Sequence, residues 1–115
     1  MNIEIIKEPI AIIKLADIAA DQFGNFVKAV VDIKRETMAI GGELHADEEA
    51  ILIEQGSDQQ DLWGINLYPA KSGSDFVEFD SMINVRPSQH NNSRNVESVR
   101  IQKRIRGIVA TLIKN

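Results

Sequence analysis

The sequence predicts an α+β domain with a mainly antiparallel sheet and helices packed on one face, and three observations carry that expectation. Apolar residues alternate with period two along four segments that group into two hairpins, and they recur at helical spacing along two longer ones. The order is strand, helix, two strands, short helix, two strands, helix (β-α-β-β-α-β-β-α), without the regular strand–helix alternation of a parallel sheet. With 115 residues, 43% of them hydrophobic and 26% charged, the composition is globular and supports one core, so residues 1–115 read as a single domain.

Residues 3–7 form the first strand. Pro9 suits the first turn of a helix, in which Ile12, Leu15, Ala19 and Phe23 share a face until Gly24-Asn25 ends it. Val27, Ala29, Val31 and Ile33 then alternate with Lys28, Asp32 and Lys34. With Met38 and Ile40 they predict a hairpin over 26–34 and 37–44, Ile33 facing Met38 and Lys28 facing Glu43. Residues 46–55 fit a buried strand or a short helix. The helix is preferred because Asp47, Glu48 and Glu49 complement its N-terminal dipole and Gly56 closes it.

Trp63, Ile65 and Leu67 begin a second hairpin, returned by Ala70 to Ser74 into Val77, Phe79, Ile83 and Val85. Tyr68 is expected across from Phe76, with Ile65 against Val77, Trp63 against Phe79 and Gly64 beside Asp80. Residues 87–95 hold nothing a core would want. Asn95 reads as the cap of a last helix whose apolar face is Ile101, Ile105, Ile108 and Leu112, with Gly107 suggesting close packing by another element.

The absence of cysteine excludes disulfides, thiolate metal sites and a cysteine nucleophile. Glu4 and Glu8 interrupt the N-terminal apolar stretch, so no signal peptide is predicted. No apolar run approaches the roughly 20 residues a membrane span needs, and a cytoplasmic location is expected. The net charge of -4 hides an asymmetry: the last helical segment is basic and the rest of the chain acidic.

The stretch Gly41-Gly42-Glu43-Leu44-His45-Ala46-Asp47-Glu48-Glu49, followed by Gly56-Ser57, Asp61-Leu62-Trp63-Gly64-Ile65-Asn66 and Ile83-Asn84-Val85-Arg86-Pro87-Ser88-Gln89, resembles a family of short bacterial proteins of unknown function. The resemblance spans nearly the whole chain and implies no activity, cofactor or catalytic residue.

Candidate chemistry lies on the face the core does not use. Asn66, Asp80, Asn84 and Arg86 alternate there, and Asn is disfavoured inside strands. With Gln89, His90 and Arg94 from the following loop they form the candidate ligand-binding set, able to hold a phosphate or carboxylate, Arg86 being its anchor. His45, Asp80 and His90 are the candidate acid–base groups, and His45, Asp47 and Glu48 offer a weak metal set without recognised ligand spacing. No cofactor signature is present.

The favoured reading is a non-enzymatic ligand- or partner-binding module that uses the polar sheet face and the 87–95 loop. A small hydrolase acting on a phosphate-containing substrate is one alternative; a nucleic-acid binder using Arg100, Lys103, Arg104 and Arg106 is the other, disfavoured by the net charge. Phe26, Val30, Tyr68 and Met82 on the polar face suggest cover by a ligand, a second copy in a homo-oligomer, or the short helix.

Overall fold

A computed structural model describes residues 2–115. Its main sheet holds five antiparallel strands in the order β1-β4-β3-β5-β6: β1 (Glu4–Ile6), β3 (Val27–Asp32), β4 (Thr37–Ile40), β5 (Leu62–Leu67) and β6 (Val77–Glu78). A second, two-stranded parallel pair joins β2 (Ile10–Ala11) to β7 (Ile113–Lys114). Three helices complete the α+β fold: α1 (Ile12–Asp21), α2 (His45–Glu54) and α3 (Val99–Leu112).

Alternation along the central strands decides what covers each face. Val27, Ala29, Val31, Trp63, Ile65 and Leu67 point to one side, where α1 adds Leu15 and Ala19 and α3 adds Ile105, Ile108 and Leu112. Val30, Ala39 and Leu62 point to the other, where they pack on Leu52 of α2, with Ile83 at the margin. The helices are therefore not all on one face. The short helix covers part of the side expected to be polar, which explains Val30 there, because an apolar residue at the centre of β3 needs cover.

The first hairpin keeps its expected faces, but its register moves by two residues: Val31 pairs with Met38 and Asp32 with Thr37. The cause is Asp32, which is buried. Its Oδ1 accepts the N–H groups of Lys34 and Arg35, its carbonyl accepts that of Glu36, and Glu36 takes φ 58°, so the turn occupies 33–36. Glu43 is left beyond the ladder, and Lys28 pairs instead with Asn66.

In the second hairpin, the N–H of Tyr68 does donate to the carbonyl of Phe76, but β6 ends at Glu78. Val77 pairs with Leu67 rather than with Ile65, and Gly64 and Trp63 are laddered only to Val30 and Val31 of β3, with no β6 partner, and so neither Asp80 nor Phe79, on their other edge. Residues 79–85 turn away through a 3-10 turn at Met82–Asn84.

Two helix starts also differ from expectation. Pro9 does not open α1, because Ile10 and Ala11 are first drawn into the ladder with β7. Ser98, not Asn95, caps α3: its Oγ accepts from Ile101 N, whereas Asn95 Oδ1 is taken by Val96 N. Gly107 is exposed and nothing lies within 4 Å of where a Cβ would stand, so no element packs there. Among the described residues, no helix is long and apolar enough to cross a membrane.

Candidate functional site

The polar residues that the sequence singles out are brought together mainly to replace missing backbone partners. Gly64 pairs with β3 on one side, but β6 stops before reaching its other side. The fully buried Asn84 side chain stands in for a strand: Gly64 N donates to Asn84 Oδ1 at 2.8 Å, and Asn84 Nδ2 donates to Gly64 O at 3.0 Å and to Arg94 O at 3.0 Å. Gly64 has to be glycine for this approach, since a Cβ would fall 2.6 Å from the Ser81 side chain.

Asn91 organises the next layer. Its Nδ2 faces the carbonyls of Asn84 and Asn95 at 2.7 Å and of Ser93 at 3.1 Å, its Oδ1 accepts from Glu97 N, and its backbone bridges to Arg86. Buried polar groups of this kind persist because each satisfies others that have no water. The 87–95 segment thus contributes a buried side chain, contrary to the expectation that it holds nothing for a core; apolarity was the wrong criterion.

Arg86 is neither on a strand facing solvent nor paired with Asp80. Its Nη1 donates to Gln59 O at 2.6 Å and to Gln89 Oε1, its Nη2 donates to Leu62 O, and its guanidinium lies 4.3 Å from the Trp63 ring centroid. Gln89 Nε2 donates to Gln60 O, so both side chains clamp the turn before β5. Replacement of Arg86 by Ala should lower stability by about 2 kcal/mol, from the released carbonyls and the lost stacking, and Lys should recover little of it. Thermal unfolding of the two variants measures this.

The remaining candidates spread over the α2 face. Asp80 Oδ1 accepts from Arg94 Nε at 2.5 Å in a half-exposed pair. Asn66 Nδ2 donates to Glu78 Oε1 at 2.9 Å and Asp80 O at 3.3 Å. His45, at the start of α2, donates Nε2–H to Ile65 O at 2.8 Å, and burial holds its pKa below the ordinary imidazole value. His90 is exposed at a left-handed turn, φ 60°. Glu48 is buried against Gly42, whereas Asp47 is half-buried. Among the described residues, no group of three or more His, Asp or Glu side chains is arranged to hold a metal ion.

A concave site lies elsewhere. A cleft of about 490 Å³ opens between α3, the loop at Lys71–Ser74 and the start of α1. Ile12, Phe76, Val77, Val109 and Ile113 form its apolar lining, and Lys71 and Arg106 bring positive charge to it. Its size falls within the roughly 300–1,000 Å³ common for small-molecule sites. The sequence reading included Arg106 in a basic helical edge and took Lys71 for a turn residue. The usable signal was the helical spacing of Arg106, Val109 and Ala110, which puts a cation beside apolar residues.

Compared with known proteins, residues 4–112 match a family described as protein of unknown function, DUF5674. No curated protein and no solved structure matches the chain.

Proposed function

The chain belongs to the DUF5674 family, a membership that assigns no chemistry, and we propose from its geometry that it is a non-enzymatic module binding a small molecule in the cleft between α3 and the Lys71–Ser74 loop. The observation that carries this reading is the cleft itself, a concavity with an apolar lining and two cations. The candidate acid–base groups support a binding role over a hydrolytic one. His45 Nε2 is committed to a backbone carbonyl, Asp80 is paired with Arg94, and His90 stands exposed on a turn. Acid–base catalysis needs such groups within hydrogen-bond reach of a common reacting atom.

The polar sheet face is a weaker location for the ligand, because Asn84, Arg86 and Gln89 spend their side-chain groups on the protein's own backbone. A nucleic-acid interface on α3 is weaker still: Arg104 is engaged by Ile33 O and Glu36.

Ala110 is exposed on α3 and lines the cleft, so Ala110→Trp fills it without disturbing the core. Nile red, a neutral solvatochromic dye, should bind the wild-type protein with a blue-shifted emission that Ala110→Trp abolishes while the melting temperature stays within about 2 °C. Equal dye binding by both proteins overturns this assignment of the site.

A further inference from the structure

We propose that the cleft takes a small amphipathic carboxylate, with its apolar body on the lining and its charged end held by Lys71 and Arg106. The inference rests on the reading of the cleft as the binding site and adds the chemical class of its ligand.

The protein is acidic overall, at -4, yet no Asp or Glu side chain lines this cleft. Neither Lys71 nor Arg106 has an acidic side chain within salt-bridge distance among the described residues. Two cations on the lining of a partly apolar concavity, against no acidic side chain there, favour an anionic ligand and disfavour a cationic one.

The Arg106 guanidinium lies 5.0 Å from the Phe79 ring centroid, and its Nη1 donates to Ser74 O at 3.3 Å. The Lys71 ammonium lies 4.5 Å from the Tyr68 centroid. An aromatic face steadies a cation without consuming most of its N–H donors, so both remain able to bind an oxyanion. Fixing these side chains before the ligand arrives reduces the ordering cost of binding.

A planar guanidinium edge matches a carboxylate with two parallel hydrogen bonds, and an ammonium on the same lining adds a second charge. A dianionic phosphate must surrender more hydration, and two cations beside a largely apolar lining compensate it poorly. The apolar residues Ile12, Phe76, Val77, Val109 and Ile113 call for a hydrocarbon body rather than a sugar or a small inorganic ion.

The test is an amide chemical-shift titration of the full chain with octanoate, 1-octanol and octyl phosphate, repeated with Lys71→Ala/Arg106→Ala. Octanoate should shift the amides of Ser72, Gly73, Val109 and Ile113. It should bind about tenfold more tightly than 1-octanol, a preference that the double variant loses while still binding the alcohol. Equal affinity for octanoate and 1-octanol, or tighter binding of octyl phosphate, overturns the ligand class and leaves the cleft as the site. Shifts confined to another surface, or no shift with any of the three, overturn the cleft reading and this inference with it.

Discussion

Replacing Asn84 with Ala is expected to destabilise the protein by about 4 kcal/mol, a large share of the roughly 5–15 kcal/mol that holds a domain together. The change strands the N–H and carbonyl of Gly64 and the carbonyl of Arg94 at a position that is fully buried, away from bulk water. Each orphaned buried polar group costs about 1–3 kcal/mol. For a chain of this length the melting temperature should fall by about 15 °C. Asn84→Asp retains the acceptor for Gly64 N–H but loses both donations and buries a carboxylate, so it should also be severely destabilised, less so in acid. A loss of under 1 kcal/mol in Asn84→Ala would show that the amide does not act as the missing strand partner.

Glu48 should make stability fall as pH rises. Its side chain is fully buried, Oε2 accepts only Gly42 N–H at 2.9 Å, and Oε1 has no partner. Burial pushes its pKa from 4.5 up to about 9, against the smaller opposing effects of the Gly42 hydrogen bond and Lys28, with Asp47 adding to the rise. The folded state therefore holds a proton that the unfolded chain has released between these values. Its stabilising contribution is complete below about pH 4.5 and is lost progressively as pH approaches 9. Within that window the slope approaches about 1.4 kcal/mol per pH unit. Glu48→Gln preserves the shape and the acceptor for Gly42 while removing the titration. Its melting temperature should lie near that of the wild type at pH 5 and exceed it by several degrees at pH 8; parallel pH profiles of the two proteins would contradict this.

Elements dominated by local pattern were legible in the sequence. The alternation around Val27–Val31 and Trp63–Leu67, and the helical spacing of Ile105, Ile108 and Leu112, report which residues face a core, and they do face one. The acidic start and closing Gly56 of residues 46–55 identified α2 as a helix, but local signals say nothing about which face of the sheet it covers. Register was harder to read because it depends on side chains that reshape turns. Asp32 moves the first hairpin by two residues without changing its faces.

The candidate site divides in the same way. Asn66 and Asn84 both read as strand residues, and Asn66 is one, paired with Lys28 and Glu78 in the ladder. Asn84 proves to lie in a turn, where its amide substitutes for the strand that ends at Glu78. A side chain suited to binding a ligand is equally suited to binding backbone, and the choice depends on which backbone groups the topology leaves unpaired. Spacing along α3 marked one wall of the cleft, but the concavity itself was not legible. Lys71 belongs to a loop and Arg106 to the last helix, and only the packing of α3 beside that loop brings them to one concavity.

If the conspicuous polar residues hold the fold while the proposed cleft binds the ligand, the two roles separate by mutation. Nile red affinity, measured side by side for Arg86→Ala and Ala110→Trp at a temperature where both are folded, tests this most directly. Wild-type affinity is expected for Arg86→Ala despite its reduced stability, with loss of binding by the stably folded Ala110→Trp. Lost affinity in Arg86→Ala with full affinity in Ala110→Trp would contradict it and return the site to the face beside Trp63.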